Sequence, residues 1–283
     1  MRAPERAVAL PAPGRYRRRR AAAAAEECAF GDLLAAAGTV VTPALIGLAA
    51  ASGHDRLEVR PRPRAALVLF GDELAFEGVP GPGLVRDSLG PQVPAWLRRM
   101  GVEVVGVDRA PDTLPAHVAA IERAAERADV VLTTGGTAAG PVDHLHAAIA
   151  ACDLELVIDR VAVRPGHPML AGKARRGTTW LLGLPGNPQS AIVALLTLGS
   201  PIFDGLSGRQ PATLAEVRLA AVLPAPAHED RLVLGTVADG RFHAASHLGS
   251  GMLRGLASAT GFAVLPPGGA PAGSAVRWLP LPL

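Results

Sequence analysis

Short apolar runs alternate with amphipathic stretches of helical length from Arg64 to Gly205. Ala65–Phe70 is unbroken apolar sequence and reads as a buried strand. Asp87–Met100 reads as a helix closed by Gly101, and Val102–Val107 as the next strand. Pro111–Arg127 follows as an amphipathic helix with Leu114, Val118 and Ile121 on one face. Asp129–Thr133 is a third strand and Asp143–Cys152 a third helix. Leu154–Val163 and Thr178–Gly183 read as two further strands, and Asn187–Phe203 as one long apolar helix. This alternation predicts an α/β fold, with a mostly parallel central sheet and flanking helices. Ligands of such sheets bind in the loops beyond the C-terminal strand ends.

The pattern changes on either side. After Ser207-Gly208, short strand-like pieces alternate with Pro/Gly turns: Glu216–Val222, Leu232–Val237, Arg241–Ala245, Ala263–Leu265 and Ala275–Leu279. They predict a small β-rich C-terminal domain over residues 207–283, beside an α/β domain over 64–206. Residues 1–30 show no period. From Gly31 to Arg60 the sequence reads as a helical stretch, a turn near Thr42-Pro43, and a second Ala/Leu helix ending at Gly53. Residues 1–63 thus form a separate N-terminal segment.

Composition refines this picture in a few places. The 283 residues are 49% hydrophobic, enough for one good core and a second, smaller one. With 32 Gly and 26 Pro, Ala-rich stretches carry little information of their own. The formal charge is +3, and the run Arg15, Arg17, Arg18, Arg19 and Arg20 holds much of it. Such a run reads either as a face for an anionic partner or as a solvated segment. The second reading is favoured, because no aromatic stacking platform accompanies it, and no nucleic-acid partner is expected. Cys28 and Cys152 lie far apart and match no metal or disulfide framework, which fits a reducing compartment. No apolar run reaches the ~18 residues of a membrane span, and no secretory leader is evident. A cytoplasmic protein without a membrane partner is the expectation.

Candidate chemistry sits in three loops that each follow an expected strand. In Thr133–Asp143, Gly135, Gly136 and Gly140 let backbone N–H groups converge on a phosphate, while Thr133, Thr134 and Thr137 offer hydroxyls. Asp143 can cap the next helix; the same residues would also make a tight strand–helix turn. In Gly183–Ser190, Pro185 and Pro188 stiffen the chain and Gly186 permits an unusual backbone angle. Asn187 can cap the helix or meet a ligand, with Ser190 in the first turn. After Phe70, the paired acids Asp72 and Glu73 can offer carboxylate oxygens to Mg²⁺, or simply face solvent. A fourth stretch, Arg164-Pro165-Gly166-His167-Pro168, brings a guanidinium fork suited to a phosphate or oxyanion, and an imidazole that does the same when protonated or simply hydrogen-bonds the backbone.

Taken in order and spacing, Gly71-Asp72-Glu73-Leu74, Thr133–Asp143, Val163–Pro168 and Gly183–Pro188 resemble the motifs of molybdopterin molybdenumtransferases. Gly249-Ser250-Gly251-Met252-Leu253 and Leu265-Pro266 are similar to the end of that family, so the resemblance runs from about residue 28 onward. It implies a molybdopterin-binding α/β domain, a β-barrel-like C-terminal domain, and insertion of molybdate into adenylylated molybdopterin with release of AMP and the help of Mg²⁺. Asp72, Glu73 and Asp143 would be the acids of the metal or molybdate site, and Arg164 would stabilise negative charge. Thr133, Thr134, Gly135, Gly136, Thr137, Gly140, His167, Pro185, Gly186, Asn187 and Ser190 would bind substrate. The resemblance also implies a homodimer, or a partner chain supplying the family's N-terminal portion with its Asp-Gly-Tyr-Ala-like motif.

The chain departs from the family pattern at three places. Phe70 stands where the family has Thr, Pro141 where it has an acid, and Arg164 with His167 where it has two lysines. A non-catalytic molybdopterin-binding or carrier protein derived from the enzyme is therefore the alternative.

Overall fold

The computed structural model describes residues 8–9, 29, 31–137 and 144–283. They divide into two compact units: the described residues up to Pro61 with Asp204–Gln210, and Arg62–Phe203 with Pro211–Leu283.

In the first unit, β1 (Val8–Ala9) pairs antiparallel with β2 (Leu33–Ala35). Here the structure corrects the sequence reading, which has helix at Leu33–Ala35. Strand pairing overrides the helical propensity of Leu and Ala, and Gly31 and Gly38 at positive φ turn the chain on either side. Helix α1 (Pro43–Ala51) does form, capped by Thr42, whose hydroxyl accepts from the Leu45 amide at 3.1 Å.

The second unit holds both sheets. Its chain runs through β3 (Arg64–Phe70), the short pair β4 (Leu74–Ala75) and β5 (Val85–Arg86), α2 (Leu89–Arg99), β6 (Glu103–Ala110) and α3 (Leu114–Ala125). Then come β7 (Val130–Thr134), α4 (Leu145–Ala151), β8 (Leu154–Asp159), β9 (Val163–Arg164), β10 (Leu170–Ala174), β11 (Trp180–Leu184) and α5 (Pro188–Ala194). A π-helical turn over Leu195–Gly199 links α5 to α6 (Ser200–Ser207).

The first sheet has the order β6-β3-β7-β11-β10-β8. Its first four strands are mutually parallel, and β10 runs antiparallel to both neighbours. Strand β10, Leu-Ala-Gly-Lys-Ala, lacks the β-branched or alternating pattern that would have announced it. On one face Ala66, Val68, Phe70 and Val131 pack against Ala120, Ile121 and Ala124 of α3 and Leu145, Ala148 and Ile149 of α4. The anticipated strand Leu154–Val163 breaks at Arg160 (φ 67°), and its last residues leave the first sheet to join the second as β9.

The second sheet adds β12 (Glu216–Leu219), β13 (Asp230–Ala238), β14 (Arg241–Ala244), β15 (Gly261–Leu265) and β16 (Ala275–Pro280), with a short α7 (Leu253–Ser258). Because β14 pairs with both β12 and β13, these five strands close on themselves, and β9 lies alongside β13. Closure leaves few free strand edges and encloses a small core of Leu219, Val233, Phe242, Ala263, Leu265 and Val276.

By length and composition, Pro188–Ser207 could cross a membrane, although half of it is buried inside the protein. The long helix expected over Asn187–Phe203 forms as one run from Pro188 to Ser207, with a π-helical stretch over Leu195–Gly199. Pro201 has no amide hydrogen to continue the helical ladder, and Thr197 donates to the Val193 carbonyl at 2.7 Å.

Candidate functional site

Strands β3, β7 and β11 are consecutive and parallel, so their three following loops leave one edge of the sheet. The loops touch. The Gly135 amide donates to the Leu184 carbonyl at 3.1 Å, and a Cβ on Gly186 would lie 3.9 Å from the Gly135 Cα. A Cβ on Gly135 would stand 3.4 Å from the Phe70 carbonyl oxygen. Gly135 and Gly136 adopt φ of 79° and 65°, a region where L side chains are strained, so the turn requires glycine at both places.

The Gly135 N–H is thus engaged within the protein. Among the described residues, the N–H groups of Gly136 and Thr137 are the remaining candidates of this loop for a ligand phosphate. Thr134 and Thr137 are buried, and the Thr137 methyl sits over Gly183 of β11. Thr133 is fully buried, and its hydroxyl has no hydrogen-bond partner among the described residues. Gly140, Asp143 and Pro141 lie outside the described residues.

In the third loop Pro185 is buried, whereas Gly186 and Asn187 are exposed. Asn187 opens α5 with an extended backbone, and its side chain makes no capping hydrogen bond. Of the two roles its position suggested, capping is not used. Ser190 is buried in the first turn.

The acids of the first loop form a clasp with the loop after β6. The Asp72 amide donates to Asp112 Oδ2 at 3.2 Å, and the Asp112 amide donates to Asp72 Oδ1 at 3.3 Å. Behind Asp112 stands His117 of α3, with Nε2 3.3 Å from Asp112 Oδ1. The His117 ring is buried and stacked on Phe70, with centroids 3.6 Å apart and planes at 12°. Phe70 therefore belongs to the core beneath the loop.

Glu73 is exposed beside Asp72. No group of three or more His, Cys, Asp or Glu among the described residues is arranged as a metal cage. Mg²⁺ usually takes one or two carboxylates and completes its shell with water and phosphate oxygens. The exposed Asp72 and Glu73 fit that donor set.

Arg164 and His167 converge on a different acid. Arg164 Nε donates to Glu229 Oε2 at 2.5 Å, and His167 Nδ1 lies 3.7 Å from Glu229 Oε1. The Arg164–Pro165 peptide is cis, and β9 carries Arg164 alongside Arg231 of β13. Arg164 and His167 are both exposed, and Glu229 balances part of the Arg164 charge.

Three contributors escaped the sequence reading. Gln189, 1% exposed, fastens the segment His247–Met252 to the start of α5. Its Nε2 donates to the Met252 carbonyl at 2.8 Å and to the His247 carbonyl at 3.3 Å, while its backbone amide donates to the Ser250 carbonyl at 2.9 Å. A Cβ on Gly251 would lie 3.9 Å from Asn187 Oδ1, so this barrel loop forms another wall of the site. Asp112 and His117 are the other two. In the sequence, Asp112 looks like a turn residue and His117 an ordinary helix position; only the fold brings them behind Asp72.

Comparison with known proteins matches two stretches of the chain. Residues 66–205 match a family described as "Probable molybdopterin binding domain", and residues 216–281 match the "MoeA C-terminal region (domain IV)". The chain is 36% identical over 190 residues to molybdopterin molybdenumtransferase 2 of Mycobacterium tuberculosis, covering 64% of this chain and 45% of the relative. It is 30% identical over 184 residues to molybdopterin molybdenumtransferase of Staphylococcus aureus, covering 65% and 43% respectively. The chain thus spans less than half the length of these curated relatives. A molybdopterin biosynthesis MoeA protein from Pyrococcus horikoshii shares the fold, with a TM-score of 0.75 at 23% identity, covering 89% of this chain and 63% of that one.

Proposed function

Because the chain belongs to the molybdopterin molybdenumtransferase (MoeA) family, we propose that it inserts molybdate into adenylylated molybdopterin and releases AMP. The observation that carries this reading is the convergence of three glycine-bearing loops at the ends of adjacent parallel strands β3, β7 and β11.

In this reading, residues 64–206 form the pterin-binding domain, 207–283 a barrel that adds one wall, and 1–63 a separate segment. The Gly136 and Thr137 amides and the Thr134 and Thr137 hydroxyls hold the pterin phosphate, while Gly135 keeps the turn in shape through Leu184. Pro185 and Gly186 form a preformed rim with little ordering entropy left to lose, and Asn187 offers its unused side chain. Arg164 and His167 attract molybdate or the phosphoanhydride, in exchange for their contact with Glu229.

Asp72 and Glu73 hold Mg²⁺, which when bound neutralises charge on the phosphoanhydride. The residues' contribution to AMP release is positioning and charge stabilisation. Gly140 as a substrate-binding residue and Asp143 as a further acid of the metal or molybdate site belong to the same reading, on residues outside those described. The chain works as a homodimer, or with a partner chain that supplies the N-terminal acids of the family, and the reaction takes place in the cytoplasm.

The test is direct. The purified protein is mixed with adenylylated molybdopterin, Mg²⁺ and molybdate, and AMP release is measured beside pterin binding. Molybdate-dependent AMP release above a no-protein control is the expected result. Tight binding without release would replace the enzyme with a carrier, and absence of binding would refute both.

A further inference from the structure

We propose that His117 is a positioning residue: it anchors the Asp112 carboxylate so that Asp112 holds Asp72 in place at the acid end of the site. The inference rests on the reading of Asp72 as a divalent-cation ligand, and it goes further by naming what fixes that ligand.

The clasp between Asp72 and Asp112 is weak by itself. Its two hydrogen bonds, 3.2 and 3.3 Å long, join two exposed loops. Both are longer than the usual N–H···O distance and stand open to competing water. His117 differs from both acids in being 1% exposed. Phe70 stacks on its ring at 3.6 Å, and His144 meets it edge-on at 5.8 Å and 79°. A ring held on a face and an edge has little freedom to turn, so Nε2 stays directed at Asp112 Oδ1, 3.3 Å away. An ionised carboxylate only accepts hydrogen bonds, which assigns a proton to that Nε2.

An apolar side chain could fill the same space under β3. What imidazole adds is a polar contact from the core to the back of a surface loop. The chain of contacts runs from Phe70, through His117 and Asp112, to Asp72. It also accounts for Phe70, a position where the family resemblance implies a threonine. The phenyl ring supports the imidazole from below, so the strand end acts on the acid loop indirectly. Groups one step removed from a metal ligand commonly alter metal affinity 10–100-fold when lost.

The experiment uses the full chain and two readouts. The first is amide exchange of Asp72 and Asp112, followed by NMR without ligand. The second is Mn²⁺ binding, followed by electron paramagnetic resonance. His117→Phe keeps a stacking ring and removes the donor, and His117→Gln restores one. We expect His117→Phe to retain the native fold, to speed exchange at both amides about tenfold, and to weaken Mn²⁺ binding about tenfold. His117→Gln should recover part of both effects, which a merely space-filling role would not produce.

Unchanged exchange and unchanged Mn²⁺ affinity in folded His117→Phe would overturn the proposal. Should the wild type bind no Mn²⁺, the metal reading of Asp72 fails, while the exchange rates still decide the role of His117. Should His117→Phe not fold, Asp112→Asn probes the same contact from its exposed end. Faster exchange of the Asp72 amide is then expected, and an unchanged rate would overturn the proposal.

Discussion

Replacing Gln189 by alanine tests whether the barrel loop is a working wall of the site. The carboxamide is buried and gives two hydrogen bonds to loop carbonyls, at 2.8 Å to Met252 and 3.3 Å to His247. Their loss costs about 1 and 0.5 kcal/mol. Removing a buried methylene and leaving a small void adds about 1 kcal/mol. The sum, about 2–3 kcal/mol, falls on the docking of His247–Met252, because the backbone bond from the Gln189 amide to Ser250 remains. At 1.4 kcal/mol per tenfold, opening of the loop becomes about 30-fold or more favourable.

The assay is amide exchange at Met252 and Gln189, whose N–H groups are bonded to Gly249 and Ser250. Exchange at both should accelerate by about that factor. Pterin affinity should fall with it, since the loop borders Asn187. Gln189→Met keeps the volume and should show only the hydrogen-bond part. An acceleration below about threefold in Gln189→Ala, with pterin affinity intact, would refute the view that this side chain fastens the wall.

Three further outcomes follow from the same geometry. In Gly183→Ala the new Cβ would stand 2.6 Å from Leu170 Cγ and 3.0 Å from the Thr137 methyl, both residues being buried. Unfolding in urea should show a loss of about 1–3 kcal/mol, and pterin binding should weaken because Thr137 must move; a neutral variant would refute the packing described. Thr133→Val removes a buried hydroxyl that has no partner among the described residues, so stability should rise by about 1 kcal/mol in the same assay. A drop in pterin affinity there would show instead that the hydroxyl meets the ligand. Burial, then the Glu122 carboxylate, push the Cys152 thiol from 9.0 up to about 11. At pH 8 about one molecule in a thousand then carries the thiolate, so Cys152 should resist iodoacetamide until the pH approaches 11 or the chain unfolds. As a raised acid, it leaves stability intact below pH 9 and reduces it between pH 9 and 11.

What the sequence made legible was whatever local pattern governs. The apolar runs at Ala65–Phe70 and Asp129–Thr133 correspond to β3 and β7 within a residue, and the Gly/Pro loops fall at the strand ends as expected. Local pattern was silent where pairing decides. Leu33–Ala35 has helical composition but pairs with Val8–Ala9. Leu170–Ala174 has no strand pattern but fills the gap between β8 and β11. Arg164 and His167 were legible as residues for an oxyanion, yet nothing local could say that Glu229, 65 positions from Arg164, would lie between them.

Phe70 shows most clearly why a motif and a site differ. Judged by sequence alone, a phenyl ring in place of a hydroxyl removes a ligand contact. In the fold, the ring points into the core and stacks on His117, and His117 reaches Asp112 behind the acid loop. Backbone amides such as those of Gly136 and Thr137 need no particular side chain at position 70, so the phosphate contact proposed for them does not depend on it. Carboxylate geometry does depend on it, through the stack. The departure at Phe70 should therefore alter metal affinity more than pterin affinity. Phe70→Thr should weaken Mn²⁺ binding by loosening His117, while leaving pterin binding in the absence of metal close to the wild type. Equal loss of both would show that the two ends of the site are not separately supported.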